Sequence, residues 1–292
     1  MGLVFRCLSR LPLAVLHALG ALLGWLVYCG SATYRQRFRA NVAQAGIGWA
    51  AARPAIAAAG RMTAELPWLW FGSRHRPRGS ALRWEGEELI AQALAQKRGL
   101  VVMTPHMGCF EICAQAIAER FMTPESPITV LYRPARQAAL REVMAGSRER
   151  PGLATAPASL AGVRQMIRGL RRGEAVGLLP DQVPPDGLGV WAPFFGRPAY
   201  TMTLAARLVQ QTGAALLLIW GERLPRGRGF VVHVLPAPEI APGASAEAAA
   251  ATINAAMESV IRRAPGQYLW GYHRYKQPRG LDIGAAPDNS PP

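Results

Sequence analysis

Five short apolar runs recur along the middle of this chain and limit what it can fold into: Leu100 to Thr104, Ile128 to Tyr132, Ala175 to Leu179, Ala214 to Ile219 and Phe230 to Leu235. Each is short for a helix and apolar at consecutive rather than alternate positions, as strands covered on both faces are. Helical patterns fill the intervals, at Cys109 to Arg120, Leu160 to Arg172 and Thr201 to Thr212. A last helix, Ala246 to Arg263, repeats apolar residues at Ile253, Met257, Val260 and Ile261. The alternation predicts a single α/β domain with a mixed or mostly parallel central sheet flanked by helices. With 50% of its residues hydrophobic, the chain has material for a sizeable core, which excludes disorder as its default state.

Ahead of this region, Leu11 to Cys29 is almost wholly apolar, interrupted only by Pro12 and His17. At about 1.5 Å per residue it just crosses a hydrocarbon core of about 30 Å. It reads as an N-terminal membrane anchor over residues 1–33. A cleaved signal fits less well, because the run exceeds the usual apolar region of roughly 7 to 15 residues and no small-x-small site follows. Arginines flank both ends (Arg6 and Arg10; Arg35, Arg37 and Arg39), so charge alone gives no orientation. A helical stretch from Tyr34 to Trp70 follows. From Gly280 on, the chain is polar and proline-bearing, which predicts a disordered tail over 280–292.

The formal net charge of +15 predicts attraction to polyanions and does not choose among lipid headgroups, nucleic acid and acidic proteins. The four cysteines make no disulfide framework. Cys109 and Cys113 stand one helical turn apart behind His106, but a closed zinc site needs four ligands and no second cluster exists in the sequence. No metal is expected, and both cysteines read as small core residues. Arg223 reads as an ordinary surface charge. Trp270, Tyr272 and Tyr275 alternate with Arg274 and Lys276, a pattern read as packing of a terminal segment or lipid-interface anchoring rather than base stacking.

The richest segment is LVVMTPHMGCFEICAQ, where an apolar strand ends and His106 falls in the turn before a helix. Ligands of open α/β sheets bind at such carboxyl strand ends. Glu111 follows five residues later and can meet the imidazole if the backbone bends at Gly108, as glycine permits. A carboxylate on one imidazole nitrogen sets the tautomer and stabilises the imidazolium, leaving the other nitrogen to take a proton from a hydroxyl. No serine or cysteine stands in an evident nucleophile elbow. Cys109 lies early in a helix, where a thiol pKa can be lowered. A base without its own nucleophile implies attack by the substrate's hydroxyl.

HMGCFE resembles the H-x4-(D/E) box of the glycerolipid acyltransferase superfamily, and five further segments make the resemblance narrower. RANVAQAG (Arg39 to Gly46), LYRP (Leu131 to Pro134), LLPDQ (Leu178 to Gln182), PFFGRPAYT (Pro193 to Thr201) and YLWGYHRYK (Tyr268 to Lys276) are similar, in order, to blocks of the late acyltransferases of lipid A biosynthesis. The resemblance implies a glycerolipid acyltransferase-like domain over 34–279 that carries a fatty acyl chain from acyl carrier protein to a hydroxyl of Kdo-lipid IV(A) without cofactor or metal. It implies an N-terminally anchored enzyme of the bacterial inner membrane with its catalytic domain in the cytoplasm, and no nucleic-acid partner. Carried over by residue, it makes His106 the base and Glu111 its partner. Arg133 would bind phosphate or brace the transition state, and Asp181 and Gln182 would shape the acceptor side. Phe194, Phe195 and Gly196 would line an acyl channel or turn a loop. Cys109 and Phe110 replace the small polar neighbours usual before the box carboxylate. Acylation of another lipid, such as a lysophospholipid, ornithine lipid or glycolipid, is the alternative within the same chemistry. A non-catalytic, membrane-tethered binder of anionic lipid or nucleic acid is the alternative outside it.

Overall fold

The computed structural model describes residues 2–72, 81–132 and 150–278. The N-terminal region is helical: α1 (Gly2–Leu8), α2 (Leu13–Gly30), α3 (Ala32–Gln44), α4 (Trp49–Ala52), α5 (Pro54–Ala64) and α6 (Leu66–Phe71). Prolines at the first turns of α5 and α6 break the long helical stretch expected here, since proline cannot continue a helix but suits its start. The α/β part runs β1 (Leu82–Glu85), α7 (Glu88–Ala95), β2 (Leu100–Met103), α8 (Phe110–Phe121), β3 (Ile128–Tyr132), β4 (Leu153–Pro157), α9 (Leu160–Arg171) and β5 (Ala175–Leu178). It closes with β6 (Gly189–Phe194), β7 (Arg197–Met202), α10 (Leu204–Thr212), β8 (Ala215–Arg223), β9 (Phe230–Pro236) and α11 (Ala246–Arg263).

Among the described residues, seven strands form one sheet in the order β1-β9-β8-β2-β5-β3-β4, and β6 with β7 makes a separate antiparallel hairpin. All neighbours in the large sheet are parallel except β8 and β9. The mixed, mostly parallel α/β sheet expected from the sequence is the one observed. Successive side chains of a strand point to opposite faces, so the apolar runs serve two cores at once. Val101, Met103, Val176, Leu178, Leu218 and Trp220 face one core with residues of α9, α10 and α11. Leu100, Val102, Ala175, Leu217, Ile219 and Val232 face the other with residues of α7 and α8. β1, β4 and the β6–β7 hairpin were not expected; β1, at the sheet edge, has a half-exposed alternating pattern rather than an apolar run.

Helix α2 is the one described helix long and apolar enough to cross a membrane. It does not stand apart from the domain. Leu13, Leu16, His17, Gly20, Gly24 and Tyr28 form its buried face, and Gly20 and Gly24 lie against α5. A Cβ on Gly60 of α5 would come within 1.9 Å of the Gly20 carbonyl oxygen, so this crossing requires glycine. Val15, Leu19, Leu22, Leu23 and Leu26 on the rest of the helix are exposed apolar residues. The tail expected over 280–292 and Arg133 both lie outside the described residues.

Candidate active site

Sheet register brings the site together. β2 and β5 are parallel neighbours with Met103 opposite Leu178, and three residues beyond each stand His106 and Asp181. Both side chains therefore leave adjacent carboxyl strand ends at the same level. The Asp181 carboxylate, 1% exposed, accepts the His106 backbone N–H at 3.0 Å and meets the imidazole Nδ1 at 2.7 Å. Burial alone would raise the Asp181 carboxyl, but the His106 imidazole, its backbone N–H and the nearby Arg274 guanidinium hold it below the usual carboxylate range. An ionised carboxylate only accepts, so Nδ1 carries the proton and Nε2 of the neutral ring is left with a free lone pair that can accept one. The His106 side chain is 20% exposed, enough for a substrate hydroxyl to reach it. Beside Asp181, burial and the carboxylate's charge push the Tyr268 hydroxyl well above its ordinary value. Tyr268 was not singled out in the sequence.

The turn that carries His106 is held by backbone on every side. His106 O accepts from Leu269 N at 3.1 Å, Gly108 N donates to Gln267 O at 2.9 Å, and Cys109 N donates to Gly221 O at 2.8 Å. Gly108 has φ +54°, and a Cβ there would sit 2.0 Å from Gly221 O, so only glycine can make this bend. The Phe110 ring packs 5.1 Å from the imidazole and closes one side of it.

The other expected site residues fall in different places. Glu111 is half-buried in the first turn of α8, where a carboxylate also suits the helix dipole. The carboxylate on Nδ1 is Asp181, which was expected on the acceptor side. Gln182 is half-buried next to it. Phe194 and Phe195 are buried, and Phe195 and Gly196, at φ +47° and +76°, form the tight turn joining β6 to β7. The turn is fastened by Phe195 N to Glu258 at 2.6 Å and by Gln44 to Phe195 O at 2.7 Å. A cavity beside these rings holds about 10 Å³, room for a single water.

One reading changes in three dimensions. Arg223, expected at the surface, is 6% exposed and forms a fork with buried Glu65, its Nε and Nη2 donating at 2.7 and 2.6 Å. Its place at the end of β8, where the strand runs past β2, turns the side chain inward rather than to solvent. Cys109, read as a small core residue, is buried at the N-cap of α8, and desolvation together with the Glu65 charge pushes its thiol well up, against the lowering that an early helix position can bring. Arg274 is buried too and donates to Tyr200 O at 2.7 Å and Thr201 Oγ1 at 2.8 Å, so it stitches the C-terminal segment to the hairpin. Packing, the first of the two readings for that aromatic and basic run, describes Arg274.

The sequence matches the family described as bacterial lipid A biosynthesis acyltransferase over residues 2–277. It is similar to a lipid A biosynthesis lauroyltransferase of Escherichia coli (strain K12), 31% identical over 228 residues covering 76% of this chain and 70% of that protein. It is also similar to a lipid A biosynthesis palmitoleoyltransferase of the same organism, 29% identical over 215 residues covering 72% of this chain and 66% of that protein.

Proposed function

The chain belongs to the bacterial lipid A biosynthesis acyltransferases, enzymes that transfer an acyl chain to a lipid A precursor, and on that footing we propose a donor, a mechanism and a location for it. The donor is a fatty acyl thioester of acyl carrier protein and the acceptor hydroxyl belongs to Kdo-lipid IV(A). His106 Nε2 takes the proton of that hydroxyl as its oxygen attacks the thioester carbon. The carbon–sulfur bond breaks, and the imidazolium returns the proton to the leaving thiolate. Asp181 on Nδ1 keeps the ring in the required tautomer and stabilises its positive charge. Glu111, in the same turn-and-helix unit, adds a second negative charge that favours the imidazolium. Arg133 is assigned to the developing oxyanion or a phosphate, and Gln182 to the acceptor side.

The observation that carries this reading is the 2.7 Å contact of Asp181 with His106 Nδ1 at two adjacent strand ends. Direct transfer, without an acyl-enzyme, is supported by Cys109, whose buried thiol is held protonated and is a poor nucleophile. The net charge of +15 suits an acidic carrier protein and a phosphate-bearing acceptor. The exposed apolar residues of α2 suit attachment to the inner membrane, with the catalytic domain in the cytoplasm where acyl carrier protein resides. The test is mass spectrometry of lipid A from a deletion strain. Loss of one acyl chain, restored by the wild type and not by His106→Ala, is expected; full restoration by a folded His106→Ala would overturn the base assignment.

A further inference from the structure

A buried polar chain runs from the apolar N-terminal helix to the turn that carries the base. His17 of α2 meets Glu65 Oε2 through Nε2 at 3.0 Å. Glu65 takes the fork of Arg223, and Arg223 Nη2 goes on to donate to the Gly108 carbonyl oxygen at 2.7 Å. All three side chains are almost fully buried, Glu65 at 1% and His17 at 5%. Burial alone would raise the Glu65 carboxyl, but Arg223 and His17 bring it below its ordinary value, so it is ionised and the His17 nitrogen facing it is a donor. Gln267 locks the far side of the same turn. Its carbonyl accepts Gly108 N, while its side-chain oxygen accepts Arg223 N at 2.9 Å.

Desolvating an ion pair costs several kcal/mol per ion, and well-packed apolar residues of equal volume would serve stability as well or better. What apolar residues cannot do is hold a carbonyl two residues from the base at a set point. We propose that Arg223 and Glu65 are positioning residues for His106, and that His17 makes helix α2 a working part of the active site rather than a detachable tether. Seating of α2 on α5 through Gly20, Gly24 and Gly60 sets His17; His17 holds Glu65 in the orientation that Arg223 needs; and Arg223 fixes Gly108 O, and with it the approach of His106 to Asp181. This rests on His106 being the base.

The experiment uses the full-length protein in detergent micelles, with acyl carrier protein thioester as donor and the lipid A precursor as acceptor. His17→Ala is expected to lower kcat about tenfold with both KM values little changed, because a small misplacement of a base affects the chemical step and not binding. His17→Gln, whose amide can still donate to Glu65, restores most of that loss. Arg223→Lys keeps the charge but not the fork, and lowers kcat about a hundredfold. Both His17 variants should stay in the membrane fraction as the wild type does. Unchanged kcat in His17→Ala, or a loss that His17→Gln fails to restore, overturns the proposal even if Arg223→Lys fails to fold. His106→Ala runs alongside: if it is inactive while His17→Ala is fully active, the coupling is wrong and the base assignment stands. If it is active, the base assignment itself has failed.

Discussion

Asp181→Asn is the perturbation most directly readable from the geometry, because the two Asp181 oxygens have different partners. One accepts the His106 backbone N–H at 3.0 Å and the other meets Nδ1 at 2.7 Å. The backbone N–H can only donate, so the amide oxygen of the asparagine must stay on it. The amide NH2 then faces Nδ1, which must accept, and the ring proton moves to Nε2, the nitrogen proposed as the base. The substitution is nearly isosteric and yet selects the wrong tautomer, and it also removes the charge that stabilises the imidazolium. A hydrogen bond to a charged group is worth about 1.5 to 3 kcal/mol, and the tautomer change adds a similar amount. The sum of about 4 kcal/mol corresponds to roughly a thousandfold in rate at 1.36 kcal/mol per tenfold. Single-turnover acyl transfer with saturating donor and acceptor measures this, with thermal unfolding to show that the fold survives. A folded Asp181→Asn within tenfold of wild type would refute the assignment of Asp181 as the orienting carboxylate. Glu111→Gln removes a charge without touching the tautomer and is expected to cost less, about tenfold; a larger loss than Asp181→Asn would reverse the roles of the two carboxylates.

Further expectations test the chemistry, the acid side and the helix crossing. With donor alone, intact-protein mass spectrometry should show no acyl adduct, and Cys109→Ala should keep most of its activity; an adduct on Cys109 that acceptor discharges would replace direct transfer by an acyl-enzyme. Glu65→Gln leaves the Arg223 charge buried without its counter-ion and should cost about 3 to 5 kcal/mol at pH 7. Because the folded pKa of Glu65 lies below its unfolded value of about 4.3, the pair's contribution is present above that pH and is lost as pH falls through the folded value. The gap in thermal unfolding between wild type and Glu65→Gln should therefore narrow as pH falls below about 4; a gap that stays constant down to about pH 3 would contradict this. Gly60→Val puts side-chain atoms where the α2 backbone lies and should lower the unfolding temperature and the activity together, measured on the same preparation; a fully stable Gly60→Val would mean that α2 does not pack on α5 as described.

The sequence by itself determined five of the strands, four of the helices and the place of His106, the residue proposed as the base. Continuous apolar runs marked β2, β3, β5, β8 and β9, and helical periodicity marked α8 to α11, because burial of one face or both leaves a local record in residue order. His106 was legible because a strand end, a turn and a glycine bend stand within a few residues of it. Only the tertiary structure decided which carboxylate sits on that histidine. Asp181 is 75 residues away, and nothing in its own neighbourhood says that β5 lies beside β2 with Leu178 opposite Met103. Burial leaves a periodic trace along one segment, but strand order and register are relations between segments and leave none. The same holds for Arg223 and Glu65, 158 residues apart: each alone reads as a surface charge, and pairing across the fold is what allows both to be buried.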